Sequence, residues 1–228
     1  MIHDHSAAHL RFLQIHLGGD RNFCYLLGDP ESGDAAAVDP GFEPERFLEI
    51  SEAEGLTITN ILFTHGHVDH TGGAATLQNL TEAPMYGGPE DLIPGAQALN
   101  DGMVIRLGDL EITALATPGH SPGHYCFLCE DRLITGDILF CGKVGGTGPY
   151  FKGSSAQQEY DSLHRLMELP AGTLVFPGHD YYGGPGQRPH STIGFEKESN
   201  PFITAADFEA FCHLKDNWAD YKKEHNLR

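Results

Sequence analysis

The run His65-Gly66-His67-Val68-Asp69-His70, with Ile61-Leu62-Phe63-Thr64 before it and Thr71-Gly72-Gly73 after it, constrains this chain more than any other segment. Three imidazoles and a carboxylate crowded into six positions are costly to hold together unless positive charge sits among them, and a divalent metal is the simplest source. The apolar residues before the run read as a strand. If the chain leaves that strand extended, residues i and i+2 point to one side, so His65 and His67 can share an ion. Asp69 and His70 then turn away as a helix begins, and can serve a second ion nearby.

Three further apolar segments end in the same way. Leu115-Ala116-Thr117-Pro118-Gly119-His120, Leu133-Ile134-Thr135-Gly136-Asp137 and Leu174-Val175-Phe176-Pro177-Gly178-His179 each read as a strand, a glycine-containing turn and a metal-type side chain. Strand ends that carry functional groups on loops above a rigid sheet are a common way of building a site. His-x-His-x-Asp-His followed by His, Asp and His in this order and spacing resembles the metallo-β-lactamase superfamily, over nearly the whole chain. The resemblance implies an α/β fold, an αββα sandwich of two mixed β-sheets faced by helices. It also implies a first site of His65, His67 and His120, a second of Asp69, His70 and His179, and Asp137 bridging the two. Two divalent metal ions would then be the cofactors, zinc foremost, with iron or a mixed pair as the other options.

Composition bounds the partners. The formal net charge is -18, from 14 basic and 32 acidic residues. Phosphate backbones need clustered Lys and Arg, which are absent, so nucleic acid is excluded as a partner. The start Met1-Ile2-His3-Asp4-His5-Ser6 has no basic, apolar leader, and no run approaches the roughly 20 apolar residues of a membrane span. The expectation is a cytoplasmic protein with no membrane partner. Five cysteines, an odd number without a dense framework, suit a reducing compartment. Cys126 and Cys129 lie three apart in a strand-like run, point to opposite faces and have no second pair, which argues against a zinc ribbon.

At 228 residues and 40% hydrophobic content the chain can form one well-cored domain over 1–228, with 201–228 as a C-terminal helical appendage after Asn200-Pro201. Apolar runs bounded by turn residues predict strands over 10–17, 23–28, 35–38 and 57–63, and hairpins pairing 103–107 with 110–116 and 125–128 with 132–135. Helices are expected over 44–54, 71–80, 155–169 and 204–225.

Several residues near the motifs allow two readings. His124, four after His120, reads as a supporting or structural residue because the metal positions are filled. His3, His5, His9, His16, His164, His190, His213 and His225 lack partners at ligand spacing and read as surface histidines. Asp39, at a strand end before Pro40-Gly41, can brace a metal loop by hydrogen bonds or simply make a turn. Gly142-Lys143 with Gly145-Gly146-Thr147-Gly148 reads as a glycine-rich loop carrying Lys143 but fails as a phosphate loop, since Val144 stands where Ser or Thr is needed. Cys141 reads as packing.

Two adjacent ions can hold a bridging hydroxide, polarise a carbonyl and steady a leaving group without a Ser or Cys nucleophile, and Asp69 and Asp137 are the catalytic carboxylates in this reading. Such a centre suits hydrolysis of an ester, thioester, lactone or amide. Cys141-Gly142-Lys143 resembles glyoxalase II, the hydrolase of acylated glutathione thioesters; the resemblance implies Lys143 and Tyr181 as substrate-binding residues and a small-molecule acyl thioester or ester, glutathione-derived in that family. Val144-Gly145-Gly146 departs from that family's aromatic pair. The alternative rests on His179-Asp180-Tyr181 and Glu198-Ser199-Asn200-Pro201, which resemble the persulfide dioxygenases. That likeness implies one iron held by His65, His120 and Asp137, acting on glutathione persulfide.

Overall fold

A computed structural model of the chain describes residues 1–18, 21–180 and 189–226. The first half builds a seven-stranded sheet in sequence order: β1 (Ile2–Asp4), β2 (Arg11–His16), β3 (Phe23–Gly28), β4 (Asp34–Val38), β5 (Thr57–Leu62), β6 (Met85–Gly87) and β7 (Gln97–Ala98). β1 to β4 pair antiparallel; β4 to β7 pair parallel, with α1 (Pro44–Ala53) crossing between β4 and β5, and α2 (Val68–Thr71) and α3 (Ala74–Thr81) between β5 and β6. The second half gives β8 (Val104–Leu107), β9 (Leu110–Ala116), β10 (Tyr125–Cys129), β11 (Arg132–Gly136), the small hairpin β12 (Leu139–Phe140) with β13 (Lys143–Val144), then α4 (Ala156–Leu166), β14 (Leu174–Pro177) and β15 (Ser191–Thr192). Its mixed six-stranded sheet runs β15-β14-β11-β10-β9-β8. Helices α5 (Ile193–Ser199), α6 (Phe208–Asp216) and α7 (Trp218–Glu224) close the chain.

Strand alternation explains the layering. Tyr25, Leu27, Ala36 and Val38 face the inter-sheet core, where they meet Ile112, Phe127, Ile134 and Phe176 of the other sheet. Their neighbours Leu26, Ala35 and Ala37 face outward beneath Phe47, Ile50 and Leu77 of α1 and α3. On the second sheet Cys126, Leu133 and Val175 pack outward against Leu163 and Leu166 of α4 and Ile193 and Phe211 of the last helices. Both sheets are thus buried on two faces, and their strands read as nearly continuous apolar runs. The result is the expected αββα sandwich of two mixed sheets. Cys126 and Cys129 fall in different layers, one outside the second sheet and one between the sheets, which leaves them unable to share an ion.

Some elements differ from expectation. The helix expected over 71–80 starts at Val68 and breaks at Gly72-Gly73 into α2 and α3. The tail helix expected over 204–225 starts at Phe208, where the Asp207 side chain accepts from Ala210 N, and divides at Asn217. Lys143 is not on a loop but opens β13, paired with Phe140. His5 and His190 are half-buried; their rings lie 4.7 Å apart, and His5 packs on Phe176.

Candidate metal centre

Every predicted donor in the described residues comes from the C-terminal end of a strand. His65 and His67 follow β5, Asp69 and His70 lie on α2, His120 follows β9, Asp137 follows β11 and His179 follows β14. Tyr181 lies outside the described residues. His65 Nε2 is 2.9 Å from His67 Nδ1, and His120 Nε2 is 3.1 Å from that same atom. Donors around one tetrahedral ion at ~2.0–2.1 Å are separated by ~3.3 Å, so three imidazoles converge at the spacing of a shared ion. A second set repeats it: Asp69 Oδ2 is 3.5 Å from His70 Nε2 and 3.3 Å from His179 Nε2. Asp137 stands between the sets, with Oδ1 3.5 Å from His70 Nε2 and Oδ2 3.3 Å from His179 Nε2 and 3.7 Å from His120 Nε2.

Two buried atoms make the fit specific. His70 Nε2 and Asp137 Oδ1 have no hydrogen-bond partner among the described residues, although both point into the cluster. Buried polar atoms are normally satisfied, and a cation would satisfy both.

The hydrogen bonds behind the histidines aim their lone pairs. The Asp39 carboxylate accepts from Thr64 N (2.7 Å), from Thr64 Oγ1 (2.5 Å) and from His70 Nδ1 (2.9 Å). Because the Thr64 hydroxyl donates to Asp39, its oxygen accepts from His65 Nδ1 at 3.1 Å. His120 Nδ1 donates to Gly146 O at 2.8 Å. In each case the proton sits on Nδ1 and Nε2 keeps its lone pair facing the cluster. Asp39 is therefore a brace for both sets, and its backbone lies in the left-handed region with φ of 53°. His124 supports from below: its Nε2 accepts from Asp137 N at 3.3 Å and its Nδ1 meets Thr117 Oγ1 at 2.9 Å.

Titration follows the same geometry. Burial holds His65 well below the ordinary imidazole range and lowers His120 to about 4. For His70 burial acts downward, but Asp137, Asp39 and Asp69 outweigh it and the net shift is upward. For Asp137 burial acts upward, yet His70 and His179 bring the carboxyl well below its usual range; for Asp69 burial is likewise overcome, by His179 and His70. Both carboxylates stay ionised in neutral solution.

A cavity of about 740 Å³ opens over the cluster, lined by His67, Asp69, His120, Asp137 and His179 and also by Lys143, Phe151, Lys215 and Trp218. Sequence reasoning missed the last three, and it missed the supporting polar groups Asn22, Glu196 and Glu159. Asn22 Nδ2 donates to Asp69 Oδ2 at 3.1 Å. Buried Glu196 accepts from Gly142 N at 2.9 Å and from Asn200 Nδ2 at 2.8 Å, which fixes the hairpin carrying Lys143. Lys215 donates to Gly145 O at 2.8 Å and pairs with buried Glu159, so α6 reaches the loop that holds His120. Apart from the local bond between Glu196 and Asn200, each partner lies far away in the chain and leaves no local sequence signal.

A buried two-set cluster of histidines and carboxylates at the strand ends of an αββα sandwich defines a metal-dependent hydrolase class. The family model described as the metallo-beta-lactamase superfamily matches residues 17–179, and the chain belongs to that superfamily. Among its relatives is a hydroxyacylglutathione hydrolase of Methylococcus capsulatus, 43% identical over 177 residues, covering 75% of this chain and 67% of that protein. A probable polyketide biosynthesis zinc-dependent hydrolase of Bacillus velezensis is 32% identical over 75% of this chain and 79% of its own length. The crystal structure of ETHE1 from Myxococcus xanthus superposes with a TM-score of 0.83 at 35% identity, covering 91% of this chain and 90% of that one. The chain is thus glyoxalase II-like with ETHE1-like features. No helix among the described residues is long and apolar enough to cross a membrane.

Proposed function

We propose that the protein is a two-metal thioesterase of the glyoxalase II kind, acting on a small acyl thioester whose thiol part is anionic. The observation that carries this reading is the pair of complete donor sets, His65, His67 and His120 beside Asp69, His70 and His179, with the orphaned oxygen of Asp137 between them. Metals held there, zinc in this reading, supply electrophilic activation of the thioester carbonyl and a nucleophile from water at neutral pH. The residues do the rest. Asp69, ionised and held by Asn22, can accept a hydrogen bond from the attacking water and orient it. Lys143, on the hairpin fixed by Glu196, offers a cation at the cavity wall to the anionic end of the substrate. Phe140 packs beside that ammonium, 5.5 Å from ring centroid to Nζ, and narrows its range of positions.

The second reading, an iron persulfide dioxygenase using His65, His120 and Asp137, is favoured by the near full-length likeness to ETHE1. Metal analysis of anaerobically purified protein, paired with assays on an acyl-glutathione thioester and on glutathione persulfide, separates the two. Two metals per chain with thioester cleavage supports the hydrolase. One iron per chain with oxygen uptake on the persulfide, and no thioester cleavage, overturns it.

A further inference from the structure

Asp91 makes no contact with the donor atoms, yet it joins the two loops that supply the first set. Its Oδ2 accepts from Gly66 N at 2.7 Å, between His65 and His67, and from Ser121 Oγ at 2.8 Å, one residue after His120. Its Oδ1 accepts from Gly123 N at 2.8 Å. The His65 loop leaves the first sheet and the His120 loop leaves the second, so one carboxylate spans the seam between the two halves. The fit is close on both sides: a Cβ on Gly66 would lie 2.9 Å from Asp91 Cβ, and one on Gly123 would lie 2.7 Å from Asp91 N. Hydrogen bonds from neutral donors to a carboxylate are stronger than those between neutral groups, and three of them on a half-buried residue fix both loops against each other.

Resting on the two-site reading above, we infer that Asp91 is a positioning residue selective for the first site: it sets the separation of His65 and His67 from His120 and has no part in the second. The three hydrogen bonds it accepts come from Gly66, Ser121 and Gly123, and none from Asp69, His70, Asp137 or His179. Removing groups that orient metal ligands typically lowers affinity about tenfold to hundredfold.

The test isolates each site. Zinc affinity is measured by chelator competition in His179→Ala, which leaves the first site, and in His67→Ala, which leaves the second. Adding Asp91→Ala should weaken binding about tenfold to hundredfold in the first background and less than about twofold in the second. Asp91→Asn, which keeps one acceptor oxygen, should fall between, and Ser121→Ala covers the case in which Asp91→Ala does not fold. Equal losses in both backgrounds, or none in either, overturn the inference. If the two parent variants do not each bind one zinc, the two-site reading itself fails, and the inference fails with it.

Discussion

Replacing Asp39 with Asn keeps size, shape and tolerance of the left-handed backbone at φ 53°, while it removes the buried negative charge and turns one acceptor oxygen into a donating amide. The aspartate accepts three hydrogen bonds, from Thr64 N, Thr64 Oγ1 and His70 Nδ1, with its side chain 1% exposed. Asn has one acceptor oxygen. If that oxygen stays with Thr64 N, the amide NH2 faces His70 Nδ1 and Thr64 Oγ1. Nδ1 must then accept, which moves the His70 proton to Nε2, toward the second set. The Thr64 hydroxyl, no longer donating to Asp39, can donate to His65 Nδ1 and reverse that tautomer as well. If the amide is flipped, NH2 opposes Thr64 N–H and a buried donor is left unpaired, at about 1–3 kcal/mol. Asp39→Asn should therefore fold, with a stability loss of about 1–3 kcal/mol, and lose about tenfold to hundredfold in zinc affinity at each set. Calorimetric zinc titration gives the affinities, and nitrogen NMR of the imidazoles in metal-free protein gives the tautomers. Native affinity at both sets, or Nδ1–H retained on both rings, would refute the relay.

Lys143→Ala should raise KM for anionic thioesters with kcat largely kept, since the contact is equal in ground and transition states. A charge-assisted contact of roughly 1.5–3 kcal/mol corresponds to about a tenfold to hundredfold loss of kcat/KM. Steady-state kinetics on a neutral thioester is the control, and an equal loss there would mean that Lys143 shapes the hairpin only. Metal-free protein should lose stability on acidification below the ordinary imidazole pKa. His65, His120 and His124 are held neutral by burial, so the unfolded chain binds more protons over this range. Their contribution is fully present above about pH 6.5 and is lost as pH falls toward the folded values; from about pH 7 to about pH 5 His120 alone accounts for about 2 kcal/mol. His70, shifted upward, and Glu159 and Glu196, raised by burial, oppose with the reverse sign: the His70 contribution is present below about 6.5 and lost as pH rises through its folded value, and the two buried glutamates destabilise the fold once ionised. Urea denaturation across this range should show the net decline, and stability that is flat or rises toward acid would contradict it.

Membership of the metallo-beta-lactamase superfamily was readable early because side chains able to hold a metal are chemically distinctive and sit next to strands whose apolar runs are equally distinctive. His65, His67, Asp69, His70, His120, Asp137 and His179 could be named from type, spacing and position at strand ends, and two sheets faced by helices were expected from the resemblance those residues carry. Extended geometry alone puts His65 and His67 on one side. The short elements were not readable. Strands of two residues, β12 and β13 among them, exist because each finds a partner, and Lys143 looked like a loop residue for that reason. The division of the tail at Asn217 was equally hidden, because α6 and α7 turn to pack Phe211 and Trp218 against the second sheet's outer layer.

What only the tertiary structure decided is the support behind the donors. Asp39 could brace or merely turn until Thr64 and His70 were seen against it, and Asn22, Asp91, Glu196 and Lys215 gave no sign of their roles. Each contacts a partner between 25 and 70 residues away, apart from the local Glu196 bonds to Ser191 and Asn200. A ligand must be a particular kind of atom, so its identity shows in the sequence. The groups that orient it need only a donor or acceptor at the right point in space, and that point exists only after distant segments have folded together, within one half of the chain for Asp39 and Glu196 and across both sheets for Asp91.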